Sequence, residues 1–383
     1  MVRQVRKQQK RLTRQNNEGT GGGALLPESK PPKKRERDKV KKSKRPFGFA
    51  LACGLGFAAL TGAVAPAVQA AETNWKMHMV WVAARPEAQS YQSFVDKVNA
   101  AAGDKLNITL YSGGSLGVKD VDMLRILPRG SVIQAAGLYP GYMTRDVPQI
   151  ASTLPPGVVS NPDQLKELSP ELRKIYEEVY EPAGIKLLGF VAHAVRDSHI
   201  MCKEPINSLE QLRKKKVRVW EQFHVDLFRK LGISAQVIGQ NDLYMAMQTG
   251  VVDCAVYPIG LAISVSLQEV APHASYLFPY VLHPLNLIVS KSSFDALSPE
   301  LQALVTKTAQ ETEEASFKSY LSGENDEKAM KVFNETGGKL LAPFSEADRK
   351  TFTDAAREVW RELSASLGAK AQKDYETISK VVQ

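Results

Sequence analysis

The sequence predicts an α/β fold for most of its 383 residues. Short apolar segments alternate with stretches at helical spacing, glycines and prolines punctuate the changes, and no internal repeat runs along the chain. The first strand is residues 76–82. Tyr91, Phe94, Val95, Val98 and Ala102 then share one face of a helix that Gly103 ends. Leu106, Ile108 and Leu110 alternate as a half-buried strand, and Gly113-Gly114 turns the chain toward a helix around 121–127. A strand at 131–136, a loop at Pro155-Pro156-Gly157 and a helix at 165–180 follow.

Strands are next predicted at 185–191 and 199–202. Ser208 and Gln211 form a capping box for a short helix, and residues 216–220 read as a strand. Helices at 225–231 and 243–248 are closed by Gly232 and Gly250, and strands at 251–257 and 285–290 follow. Ser298-Pro299-Glu300 starts a long charged helix running toward Phe333, with Ser as N-cap and Pro at the first helical position. Gly337-Gly338 separates it from terminal helices.

The net charge of +9 is unevenly spread. Residues 1–45 hold 16 Lys/Arg against 4 Asp/Glu, residues 46–70 hold none of either, and residues 71–383 hold 34 against 37. The body is therefore mildly acidic, and the basic character belongs to the front end. Lys41, Lys42, Lys44 and Arg45 precede an uncharged run rich in Phe, Leu, Ala and Gly, and Val68-Gln69-Ala70 ends it with small residues. This reads as an export signal cleaved after Ala70, giving a periplasmic protein; a retained anchor is the competing reading. Residues 1–40 are either a basic arm or the product of a start assigned too far upstream. Cys53 falls within the leader. Cys202 and Cys254 stay, either as a disulfide or as two small buried hydrophobes.

Several segments together resemble a known family. Residues 94–98 before 106–110, then Tyr111-Ser112-Gly113-Gly114-Ser115-Leu116-Gly117, are similar to the opening of the periplasmic solute-binding proteins of TRAP transporters, the DctP-type receptors. Pro205-Ile206-Asn207-Ser208-Leu209 leading into Lys216-Val217-Arg218-Val219, residues 243–253, and Leu297-Ser298-Pro299-Glu300-Leu301 continue the likeness. It covers nearly all of 75–383. The resemblance implies two α/β lobes joined by crossing strands, with a long helix spanning both. Lobe I is expected at 72–197 and 284–322, and lobe II at 198–283 and 323–383. It further implies a small organic acid held in the cleft and passed to TRAP permease membrane subunits, with a monomeric receptor and no cofactor.

Arg218 is the first candidate for the acid's anchor. Val217 and Val219 point to the opposite face of its strand, and a guanidinium can hold a carboxylate by two parallel hydrogen bonds. Composition alone favours a surface arginine in the run 213–218; the resemblance implies the clamp. Trp220 follows on the same strand. Tyr257 ends the 251–257 strand where many relatives carry an Asn. Trp81 and Tyr139 lie at strand ends of the first lobe, where open α/β sheets bind ligands. Arg196 lies on a crossing segment, two residues farther from Arg218 than a second family arginine would be, and His283 falls near another ligand-contacting position.

The residues offer no metal-ligand spacing, nucleophile elbow or phosphate-cradling loop, so neither an enzyme nor a metal or cofactor protein is expected. Nucleic-acid binding is expected only if residues 1–45 were kept. The aromatic candidates favour a partly apolar or cyclic acid over a small dicarboxylate.

Overall fold

A computed structural model describes residues 73–382; the leader, the cleavage site after Ala70 and Cys53 lie outside the described residues. The strands are β1 (Thr73–Met79), β2 (Leu106–Tyr111), β3 (Ala135–Leu138), β4 (Ile185–Val191), β5 (Asp197–Cys202), β6 (Lys216–Val219), β7 (Ser234–Val237), β8 (Cys254–Tyr257), β9 (His273–Pro279), β10 (Leu285–Ser290) and β11 (Lys339–Leu340). They form two sheets. One has the order β2-β1-β3-β10-β4, the other β11-β9-β5-β8-β6-β7. In the first, β1 runs parallel to β2 and β3, and β10 runs antiparallel to β3 and β4. In the second, β6 runs parallel to β7 and β8, and β5 runs antiparallel to β8 and β9.

The sheets define two lobes, and the chain crosses between them after β4 and again after β9. The crossing segments meet: the Tyr280 amide donates to Arg196 O at 2.6 Å. The helices used below are α1 (Pro86–Ala102), α2 (Gln164–Tyr180), α3 (Gln222–Lys230), α4 (Ile259–Ala262), α5 (Pro299–Ser322), α6 (Glu324–Glu335), α7 (Glu346–Ser366) and α8 (Ala369–Val382). Helix α1 starts at Pro86, whose ring fixes a helical φ at a position that needs no N–H partner. Its Tyr91, Phe94, Val95 and Val98 join Trp75, Met77 and Met79 of β1 in the lobe I core. Helix α5 lies on α1 and β4 of lobe I, while α6 packs on α4 of lobe II.

The single long helix expected from Ser298 to Phe333 is therefore two helices. They break at Gly323, whose left-handed φ of 68° an L side chain adopts only with strain. The first strand also differs from expectation. It begins at Thr73 and ends at Met79, which leaves Trp81 and Val82 in the loop that follows. The helix expected at 121–127 is shortened to Met123–Ile126 between two 3-10 turns, and the strand expected at 131–136 is displaced to Ala135–Leu138. Cys202 and Cys254 face each other on β5 and β8 and are joined by a disulfide. At the C-terminus, α7 packs on α3 and β9, and Phe278 stacks on Phe352 at 4.7 Å. Helix α8 returns to α2, where Gln164 donates to Val381 O and Lys370 pairs with Glu178. The terminal helices thus lie over both lobes.

Candidate functional site

Where the two lobes face each other they enclose a small cavity of about 30 Å³. Lobe II supplies its floor from strand ends. The residues of β6 after Lys216 are covered on both faces, so Arg218 is not on the surface but 1% exposed. Its Nε donates to Ile238 O at 2.9 Å, and the guanidinium lies 5.8 Å from the Tyr257 ring. Among the described residues no carboxylate pairs with it, and its terminal nitrogens have no hydrogen-bond partner. Burial therefore pulls its pKa down, with the Tyr257 and Tyr142 hydroxyls opposing the shift. A buried cation without an acid is electrostatically incomplete, and the missing complement is an anion.

A second guanidinium enters from lobe I. Arg85 lies in the β1–α1 loop, just before Pro86, and lines the cavity with its Cζ 5.3 Å from the Trp81 ring. Unlike Arg218 it has a partner, because its Nε donates to Glu87 Oε2 at 3.1 Å and both residues are buried. Burial opposes the charge on Glu87, but Arg85 and then His193 outweigh it and hold the carboxyl well below the usual carboxylate range. The Ala194 amide also donates to Glu87, and His193 Nε2 donates to His283 O. This arrangement fixes the first crossing segment against the cavity.

Aromatic rings make up much of the remaining wall. Trp81, Tyr139 and Tyr142 come from lobe I, Trp220 and Tyr257 from lobe II, and Tyr280 from the second crossing. Tyr257 donates to Gln240 Oε1 at 3.0 Å, while the buried Gln240 Nε2 has no partner among the described residues. Tyr139 reaches across the cleft and donates to Glu221 Oε2 at 2.8 Å. Burial pushes the Glu221 carboxyl up to about 7, with the Tyr139 bond opposing the rise. The latch needs Gly141 beside it, since a Cβ there would stand 2.4 Å from the Tyr139 ring and 2.9 Å from Glu221 Oε2.

Arg218, Tyr257, Trp220, Trp81 and Tyr139, all singled out from sequence, are brought together on this cavity. Two other candidates are not. His283 sits one layer behind, bonded through Nδ1 to the Tyr176 hydroxyl with its ring 5.8 Å from Tyr139. Arg196 points away from the cavity, donating to Leu321 O at 2.9 Å and to Asp163 at 3.0 Å. Its backbone amide donates to Asp326, so it binds the crossing segment to the α5–α6 break. Sequence reasoning missed Arg85, Tyr142, His193, Gln240 and Tyr280. The strand-end rule that found Trp81 reaches Arg85 four residues later, but Gln240 follows an exposed edge strand with no apolar pattern to mark it.

The sequence matches the family described as bacterial extracellular solute-binding protein, family 7 (DctP), over residues 77–366. A solute-binding protein of Sulfitobacter sp. (strain NAS-14.1) is 23% identical over 284 residues, 73% of this chain and 84% of its own length. A TRAP periplasmic solute-binding protein from Sulfitobacter sp. NAS-14.1, solved with bound β-D-galacturonate, superposes with a TM-score of 0.69 at 24% identity, covering 81% of this chain and 99% of that one. A Bordetella pertussis extracytoplasmic solute receptor binding pyroglutamic acid superposes with a TM-score of 0.71 at 16% identity, covering 80% and 99%. These structures share the two-lobed fold. Among the described residues no helix is long and apolar enough to cross a membrane. Two lobes meeting over a buried, uncompensated arginine, in a sequence that matches the family along most of its length, place this chain among the bacterial extracellular solute-binding proteins of family 7.

Proposed function

We propose that the protein is an extracytoplasmic receptor that captures a small organic acid between its lobes and delivers it to a TRAP-type permease. The observation that carries this is Arg218: a cation 1% exposed with no carboxylate beside it among the described residues. The ligand's carboxylate supplies the missing charge and accepts from the free terminal nitrogens of the fork. Trp81, Trp220 and Tyr257 pack on the rest of the molecule, and Tyr139 closes the cleft through Glu221. His283 supports this wall from behind, and Arg196 serves the hinge. The fold and family are those of receptors, which favours binding without turnover.

The mature chain in this reading begins at Ala71, after an export signal has been removed, and intact mass of the secreted protein tests that start. The lobes divide near 197/198, 283/284 and 322/323, where the crossings and the helix break lie, with α8 reaching back onto α2. A thermal-shift panel of organic acids tests the function itself. Acids that bind the folded state raise its Tm. At least one monocarboxylic or hydroxy acid is expected to do so in the wild type and to lose the effect in Arg218→Ala. A panel in which no acid shifts the wild type sinks the reading.

A further inference from the structure

The cavity walls present two guanidinium groups, yet only one of them is free to meet a ligand charge. Arg85 already spends its charge on Glu87, through Nε at 3.1 Å and Nη2 at 3.5 Å, and this pair is buried. The Glu221 carboxyl, next in sequence to Trp220, accepts from Tyr139 and adds no positive charge. His193 has one nitrogen bonded to His283 O and the other 3.7 Å from Glu87, so both nitrogens face groups of the protein itself. Arg218 alone is left without an internal counter-charge.

The uncharged donors point the same way. Gln240 lines the cavity with its Oε1 occupied by the Tyr257 hydroxyl, which leaves a buried amide Nε2 without a partner among the described residues. A neutral amide N–H answers a carbonyl, hydroxyl or amide oxygen, whereas a second carboxylate buried against it would lack a compensating charge. We propose that this cavity selects monoanionic acids over dianionic ones, with Gln240 a specificity-determining residue that donates to a neutral oxygen of the ligand. The proposal rests on the reading of the cavity as an acid-binding site.

Matched acids that differ only in the second charge test it. The probes are malonate, succinate, glutarate and phthalate, each paired with its monoamide, and titrated by calorimetry against the full mature chain. The monoamide is expected to bind at least tenfold tighter than its diacid in every pair that binds. Equal or tighter binding of the diacids overturns the selectivity while leaving the acid-binding reading intact. Binding of none of the eight probes overturns the selectivity, and the thermal-shift panel of acids then decides the acid-binding reading separately. Glu87→Gln, which frees the charge of Arg85, is expected to shrink the monoamide preference tenfold or reverse it. Gln240→Leu is expected to weaken the bound monoamide about tenfold more than the corresponding simple monocarboxylate, such as butyrate for succinamate. An unchanged monoamide affinity in Gln240→Leu removes that residue from the proposal.

Discussion

Arg218 is buried and Glu221 largely so, and both ionisable groups cost the folded state something. For Arg218 burial depresses the folded pKa, so holding the cation out of water costs the fold stability. Arg218→Met, which fills the same space without the charge, is therefore expected to melt no lower than the wild type in the absence of ligand while losing acid binding; a purely structural arginine would leave the variant clearly less stable. For Glu221 the folded value of about 7 lies above the ordinary 4.5. Between those values the folded chain holds a proton that the unfolded chain releases. Stability thus falls as pH rises through that window and stays reduced above it. Glu221→Gln has no such proton, so its Tm is expected to exceed that of the wild type above pH 7 and to converge with it near pH 4. Parallel Tm profiles would contradict this. The family resemblance, more than strand alternation, made Arg218 a candidate in the sequence, and nothing in the sequence shows that both faces of its strand are covered or that no acid reaches it.

At the scale of elements, the hinge is built from the two crossing segments and the α5–α6 break. Arg196 is common to all of them: it bonds Leu321 O, Asp163 and, through its amide, Asp326, beside Gly323. Arg196→Ala removes the side-chain bonds and is expected to cost roughly 1–3 kcal/mol of stability, read as a lower urea midpoint. Its effect on acid affinity is expected to be much smaller than that of Arg218→Ala; an unchanged midpoint with lost binding would return Arg196 to the ligand site. The sequence showed β4, β5, β6 and β10 well, because their apolar runs are bounded by clear turns. It missed β9, where a strand buried on both faces includes His273, Ser275 and Pro279, and β7 and β11, which are edge strands with little burial. The break at Gly323 was invisible because the helical pattern resumes directly after it. Periodicity records which face is buried and not where a helix changes its partner.

For the whole molecule, the walls of the two lobes already touch through Tyr139 and Glu221, and the cavity between them has room for only a couple of water molecules. An acid enters only if the lobes part about the hinge and then close over it, with ligand favouring the closed form by its extra contacts. Solution scattering is expected to show a smaller radius of gyration with saturating acid than without, and an identical radius in both states would remove the hinge from the account. The most direct test of the central claim, that Arg218 holds a ligand carboxylate, is calorimetric titration of the acid giving the largest thermal shift into wild type, Arg218→Lys and Arg218→Ala. Lysine keeps the charge and loses the fork, so a loss of about tenfold or more is expected; alanine leaves a carboxylate buried without a partner, and a loss of at least about a hundredfold is expected. An Arg218→Ala protein that still binds within about threefold of the wild type would contradict it.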